Sequence, residues 1–277
     1  MRTDYKKYKI KNKKNINVRI AHISDIHFSH EYKIKRLKMI KQKIQKMKPD
    51  YICITGDLVD IYDVIYDTNF NEFTTWLKEI SEIAKTIISI GNHEYIKLTE
   101  TGCTKTNDIS WLKKLQTERL IVLDNEIYND NNITFIGYNP DFDYYYKDKE
   151  NNPHTHNKYI TKLIKKANKE YTILLLHTPM LLVNKDNYKK IENFKNIDLV
   201  LSGHTHGGLI PSFIPGNFGI VSPHRKLFPK KVRGKIKLET NNIIISSGVM
   251  KLSRKSKLTY LNDIYGTNIN EINIQSL

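Results

Sequence analysis

The sequence predicts an α/β fold in which parallel strands carry helices on their outer faces and the chemistry gathers at the strand carboxyl ends. Three observations lead there. Continuous apolar runs of strand length recur along the chain, each run is followed directly by a polar loop, and segments with apolar residues at helical spacing separate one loop from the next run. In such folds sites form beyond the carboxyl ends of the strands, so the polar loops are expected to meet.

Residues 17–23 alternate enough to form the first such strand, which delivers Ser24-Asp25-Ile26-His27 at its end. Residues i and i+2 of an extended chain point the same way, so Asp25 and His27 converge. Ile34, Leu37, Ile40, Ile44 and Met47 then recur at helical spacing opposite a lysine-rich face, and Pro49 closes the segment. A buried strand over 51–55 follows. Gly56 permits a sharp turn after it, letting the Asp57 carboxylate project from the strand end. Phe73, Leu77, Ile80 and Ile83 mark a helix over about 70–84, and a strand over 86–90 ends in Gly91-Asn92-His93-Glu94.

Further along, a short helix is expected near 109–115 and strands at 120–123 and 133–138. A polar, aromatic stretch at 141–156, holding Tyr144, Tyr145 and Tyr146, has no clear period and reads either as a surface excursion or as a lid over a substrate. A helix over 157–169 precedes a strand over 171–176 that carries His177. Another helix, through Tyr188, Ile191 and Phe194, leads to a strand that feeds Ser202-Gly203-His204-Thr205-His206-Gly207-Gly208. Beyond residue 209 a Gly- and Pro-rich stretch precedes short strand candidates at 235–239, 243–247 and 269–274. They look like a β-rich completion of the same unit. With no internal repeat or linker, residues 1–277 read as a single domain.

Composition limits the alternatives. A chain of 277 residues with 39% hydrophobic and 27% charged side chains is globular rather than disordered. Cys53 sits inside an apolar run and forms no zinc-type spacing with Cys103, which points to a reducing compartment. The net charge of +16 favours anionic partners. The lysines are nevertheless spread through a chain rich in Lys, Ile and Asn, so nucleic acid is not the favoured partner. No run approaches the roughly 18 apolar residues of a membrane helix, and no signal-peptide core is found. A cytoplasmic location is expected, and the basic start at residues 6–14 leaves peripheral contact with an anionic membrane open.

Five strand ends thus offer Asp25, His27, Asp57, Asn92, His177, His204 and His206. These are oxygen and imidazole donors without a thiolate, a mixture suited to Mn, Fe, Zn, Co or Ni. Seven ligands exceed what one open catalytic metal takes from protein, whereas two metals sharing one carboxylate would use them all. Alone, Asp57 would read as a turn cap and Asn92 as a loop stabiliser. His22 reads as structural, His30 as a surface residue, and His154 and His156 as members of the irregular stretch, while His224 has no assignment.

The motifs Asp25-Ile26-His27, Gly56-Asp57-Leu58-Val59-Asp60, Gly91-Asn92-His93-Glu94, His177 and Gly203-His204-Thr205-His206 stand in an order that resembles the calcineurin-like metallophosphoesterase family. They span residues 25 to 206. The wording around them is most similar to the bacterial stand-alone phosphoesterases of the YkuE/YaeI type, although the leading membrane or export segment frequent in that branch is not found, and Leu209 stands where Gln is common there. The resemblance implies a four-layer αββα sandwich with the site at the strand carboxyl ends. It also implies two divalent or trivalent transition-metal ions, one on Asp25, His27 and His206, the other on Asn92, His177 and His204, with Asp57 bridging.

The implied reaction is hydrolysis of a phosphodiester or phosphomonoester by in-line attack of a metal-bridging hydroxide. His93 would protonate the leaving oxygen or stabilise charge on it, Glu94 would orient that imidazole, and Asp60 would support the ligands from behind. Ile61-Tyr62 replaces the Arg-Gly of protein phosphatases, Asp60 stands where purple acid phosphatases carry tyrosine, and His93 stands where the lipid-A-pathway pyrophosphatase carries arginine. A small or lipid-linked phosphate ester remains as the expected substrate. Two alternatives accompany this reading. One is a metal-dependent nuclease, drawing on basic runs at 226–235 and 251–257; the other is a non-catalytic scaffold, disfavoured because every ligand position is filled.

Overall fold

A computed structural model describes residues 3–28, 34–59, 70–99, 102–105, 109–146, 154–167, 171–211, 214–221, 227–250 and 267–277. The strands form two six-stranded sheets and one hairpin. In the first sheet the spatial order is β1 (Thr3–Asn12), β14 (Thr267–Ser276), β2 (Val18–Ile23), β3 (Tyr51–Thr55), β4 (Lys85–Ser89) and β7 (Leu120–Leu123). In the second it is β12 (Gly234–Lys237), β13 (Asn242–Ile245), β11 (Leu199–Ser202), β10 (Tyr171–Leu176), β9 (Ile133–Tyr138) and β8 (Glu126–Asp130). Strands β2, β3, β4 and β7 are mutually parallel, as are β9, β10, β11 and β13.

Side-chain alternation explains the layering. In β3 the side chains of Ile52 and Ile54 pack outward with Leu37, Ile40, Ile44, Phe73, Leu77 and Ile80, from α1 (Ile34–Met47) and α2 (Phe70–Ile83). Tyr51 and Cys53 face the other way, into an inter-sheet core with Ile20, Ile87, Phe135, Ile173, Leu175 and Leu201. On the far side, Leu174, Leu176, Val200 and Ile243 meet Ile160 and Ile164 of α5 (His154–Lys166) and Leu181 and Leu182 of α6 (Met180–Val183). The order of layers is therefore helix, sheet, sheet, helix. Strands covered on both faces are apolar at most positions, which is why they read as nearly continuous runs.

Several expectations change in detail. The basic start, read as a solvated strand or tail, is a strand, pairing in parallel with β14 along its whole length. The stretch expected to be irregular contains α4 (Phe142–Tyr146), and α5 begins at His154 rather than 157. His156 is buried in that helix and bonded to the Tyr138 hydroxyl at 2.8 Å. The helix expected through Tyr188 is instead α6 followed by 3-10 turns at Asn184–Lys190 and Phe194–Asn196, because Lys185 and Asp186 both adopt φ of 48° and break the spiral. Edge strand β8 and the hairpin of β5 (Ile96–Thr99) and β6 (Gly102–Lys105) were not foreseen. Asp60, His30, His224 and residues 251–257 lie outside the described residues. Among those described, no helix is long and apolar enough to cross a membrane.

His22 lies in β2 with the parity of Ile20, directed between the sheets and fully buried, with Nε2 2.9 Å from Thr55 Oγ1. Burial disfavours the imidazolium and pulls its pKa down to about 3. The unfolded chain, titrating near 6.5, therefore binds a proton between about pH 6.5 and 3 that the native state refuses. Stability from this group is present above pH 6.5 and declines as pH falls through that window, by up to about 1.4 kcal/mol per pH unit. A His22→Gln variant is expected to show a flatter acid limb, by up to that slope, in urea unfolding between pH 6.5 and 4.

Candidate metal centre

Parallel strands from both sheets aim their carboxyl ends at one place. The first sheet contributes Asp25 and His27 after β2, Asp57 after β3, and Asn92 and His93 after β4. The second contributes His177 after β10, and His204 and His206 after β11. The sheets are joined across the top by backbone bonds within each layer and side-chain bonds between them. Asp25 N donates to Gly56 O at 3.1 Å, His27 N to Asp57 O at 3.0 Å and Gly203 N to His177 O at 2.9 Å. Asp25 then accepts His204 N at 3.0 and 3.1 Å, tying β2 to β11.

Local backbone geometry is unusual. Asp25, His27, Asp57, His204 and His206 all have positive φ, between 47° and 66°. Non-glycine residues enter this region at a cost and persist there only where the surroundings hold them, which is characteristic of functional sites. Close approach of the loops helps to hold them. A Cβ on Gly91 would lie 2.3 Å from Asp57 Oδ1, so that position has room for hydrogen alone.

The donor atoms fall into linked groups. Asp25, His27 and His206 each offer a ligand atom within 4.8 Å of the others, as do His27, Asp57 and His93, and Asp57, His177 and His204. Asp57 Oδ2 lies 3.5 Å from His27 Nε2 and 3.2 Å from His177 Nε2, between the two outer groups. His206 Nε2 is 3.8 Å from Asp25 Oδ1. Two of the imidazoles are oriented from behind: His177 Nδ1 donates to Thr55 O at 2.6 Å and His206 Nδ1 to Met250 O at 2.8 Å. With Nδ1 turned to a carbonyl, Nε2 of each faces inward, where it would serve as a lone-pair donor to a cation that displaces its proton.

The donor set fits bound cations. Both ring nitrogens of His27 and Oδ1 of Asn92 are buried without a hydrogen-bond partner, and buried polar atoms are rarely left so. His204 Nδ1 faces His177 Nε2 at 3.1 Å, two imidazole nitrogens directed at each other. Charge tells the same story. Burial raises the pKa of Asp25, partly opposed by His206 and His177. Burial would raise Asp57 too, but His177 and His93 beside it outweigh that and hold it well below the usual carboxylate range. Burial lowers His177, yet Asp57 overrides this and brings it to about 9. His27 is pushed well below its ordinary value by burial and by His93. Desolvated carboxylates with an unprotonated imidazole among them make a pocket in which cations are favoured.

Glu94 also serves the backbone. Its carboxylate accepts the amides of Asp57 at 2.8 Å, Leu58 at 2.7 Å and Gly91 at 2.7 Å, clamping the β3 and β4 turns together. Burial, then the like charge of Asp57, raises its pKa to about 7. His93 donates its backbone N–H to Asp57 Oδ1 at 3.0 Å and sets its ring edge-on to His27, with centroids 4.6 Å apart. Two residues that spacing did not single out also take part. Ser24 Oγ donates to Asp25 Oδ2 at 2.5 Å, and the Tyr145 ring stands 5.5 Å from that of His204 and 6.4 Å from that of His177. The aromatic run at 144–146 was the signal for Tyr145; Ser24 left none beyond its place next to Asp25.

Comparison with known proteins follows the same residues. The model of the calcineurin-like phosphoesterase family matches residues 18–208. An uncharacterized metallophosphoesterase of Aquifex aeolicus is 29% identical over 197 residues, covering 71% of this chain and 66% of that protein. A putative metallophosphoesterase of Caenorhabditis elegans is 31% identical over 208 residues, covering 72% of this chain and 38% of that protein. The chain thus spans less than two thirds of the length of these relatives. A dimetal phosphatase from Danio rerio superposes with a TM-score of 0.47 at 9% identity, covering 85% of this chain and 89% of that one.

The Glu94 clamp has a measurable consequence. Glu94→Ala strips three buried amides of their acceptor, at roughly 1–3 kcal/mol for each group left unsatisfied. The variant is expected to lose about 3 kcal/mol or more in urea unfolding, and Glu94→Gln, which keeps an acceptor oxygen, is expected to lose less.

Proposed function

Because the chain belongs to the calcineurin-like phosphoesterase family, we propose that it is a metal-dependent phosphoric ester hydrolase with a dinuclear centre. The observation that carries this reading is the position of Asp57 Oδ2 between His27 Nε2 and His177 Nε2, where one carboxylate can serve two neighbouring cations. Asp25, His27 and His206 would hold the first cation and Asn92, His177 and His204 the second, with Asp57 shared. Manganese, iron, zinc, cobalt and nickel all suit these donors. When bound, two such cations supply Lewis acidity to a phosphoryl group and lower the pKa of water.

The chain's own residues set the rest. Thr55 O and Met250 O fix the ring orientations of His177 and His206, so that ligand geometry is prepared before a substrate arrives. His93, partly exposed at the mouth and beside His27, is the group assigned to hold a proton for the departing oxygen. Asp60, following Val59 of the same loop, is assigned to support the ligands from behind. Substrate is read as a small or lipid-linked phosphate ester, either mono- or diester. Residues 1–277 are read as one domain, which is supported by β14 seating between β1 and β2. A nuclease is the second reading, supported by the net charge of +16.

Metal-free protein reconstituted with Mn is expected to hydrolyse bis-p-nitrophenyl phosphate, and chelation to abolish turnover; a folded, metal-loaded protein without turnover would overturn the reading. Asp57→Asn is expected to lose both metal and activity. His93→Ala should retain metal and lose about 100- to 10,000-fold in kcat, the usual range for general acid catalysis. Equal metal loss in the two variants, measured by elemental analysis, contradicts this division of roles. Salt-sensitive cleavage of DNA or RNA would favour the nuclease instead.

A further inference from the structure

Single exposed apolar side chains are ordinary on a protein surface, but clusters are not. Eight large hydrophobic residues are exposed among the described residues, and five of them, Ile214, Phe218, Ile220, Leu227 and Phe228, fall within one short excursion of the chain. Leu227 and Phe228 are 68% and 74% exposed. This excursion follows the last motif of the site and lies beyond the region matched by the family model.

The excursion is held firmly. Val221 and Leu227 form an antiparallel bridge, Phe228 N donates to Ile220 O at 2.8 Å, and Gly219 N donates to Pro229 O at 2.8 Å. At its base Ile220 N donates to Gly208 O at 2.8 Å. A Cβ on Gly208 would come within 2.3 Å of Gly219 Cα, so the two segments are in backbone contact two residues after His206. Arg233, fully buried, spends its guanidinium on backbone carbonyls. It donates to Gly216 O at 2.9 Å, Pro211 O at 3.0 Å and Ile214 O at 2.7 Å, with longer bonds to Ile210 O and Pro215 O, and stacks 5.8 Å from the Phe218 ring. A buried cation satisfied only by carbonyls makes a rigid base under the exposed side chains.

The segment's own charge has one sign, although Lys231 is paired with Asp186 at 3.1 Å. Between Thr205 and Leu238 the sequence holds no Asp or Glu, against Lys or Arg at 225, 226, 230, 231, 233, 235 and 237. Of these, Lys230, Lys235 and Lys237 are exposed. Projecting apolar side chains in a segment with exposed lysines match the boundary of an anionic bilayer, where the former enter the acyl region and the latter meet headgroup phosphates. Three of the five, Ile214, Ile220 and Leu227, are aliphatic and suit acyl chains, whereas a base could stack only on Phe218 and Phe228, and Phe218 already stands against Arg233. We infer that residues 214–221 and 227–231 form a docking surface for an anionic lipid bilayer, joined directly to the His206 side of the site.

The test is co-sedimentation of the full-length, metal-loaded chain with vesicles of phosphatidylcholine alone or with 30% phosphatidylglycerol. Binding is expected to the anionic vesicles and to weaken in high salt. The double variant Leu227→Glu/Phe228→Glu is expected to bind about 30-fold or more weakly, while hydrolysing soluble bis-p-nitrophenyl phosphate within about two-fold of the parent, since neither side chain belongs to the site. Lys230→Glu should weaken binding about five-fold and serves as the second arm should the double variant misfold. Absence of binding to anionic vesicles, equal binding to both vesicle types, or unaltered binding in both variants overturns the inference. So does self-association of the parent, lost in the double variant, without vesicle binding. Binding is read without turnover, so its failure leaves the hydrolase reading untouched, and loss of turnover leaves the docking surface untouched.

Discussion

Every polar atom of Asp57 is in use, and the site depends on that saturation. Its amide goes to Glu94, its carbonyl accepts His27 N, its Oδ1 accepts His93 N, and its Oδ2 faces His27 and His177. A residue with φ of 53° has no intrinsic reason to stay there. The bonds to the turns after β2 and β4 keep it in place: His27 N on its carbonyl joins backbone to backbone, while its amide depends on the Glu94 carboxylate. The central carboxylate is thereby fixed from three directions before any cation enters.

Much of this architecture could be read from the chain. Strands β3, β10 and β11 declare themselves because burial on both faces makes most of their positions apolar, and the ligands could be found because each follows such a run closely. What escaped did so for definite reasons. Edge strand β8 has the sequence Glu-Ile-Tyr-Asn-Asp and no buried position, so nothing in it separates strand from loop. The 3-10 turns after α6 arise from left-handed Lys185 and Asp186, residues whose identity does not announce positive φ. Glu94 was legible as a member of the site, but its service to three amides was not, because a side chain's choice between imidazole and backbone is settled by the approach of another loop.

Charge is distributed as unevenly as structure. The acids that matter, Asp25, Asp57 and Glu94, are buried at the carboxyl ends of the first sheet, while a long stretch after the second sheet's last ligand has none. Excess positive charge that looks diffuse along the sequence is thus concentrated in the segment that carries the apolar excursion, with Asp186 offsetting Lys231. The same backbone that positions His206 also carries that excursion, through the contact of Gly208 with Gly219.

The place of β14 bears on how the molecule is made. This strand is inserted between β1 and β2, parallel to one and antiparallel to the other, and Asn270 reaches the ring of His22. Val249 and Met250, which follow β13, cap the first ligand loop, with Val249 N on Ser24 O and Met250 N on Asp25 O. During synthesis β2 therefore waits with an open edge while some 240 residues are added, and the second sheet has all its partners earlier. Long-range closure of this kind slows folding and leaves an unpaired edge exposed to other chains. Ligand assembly is consequently among the last events of folding, so that a nascent or truncated chain can hold a complete second sheet without a competent site.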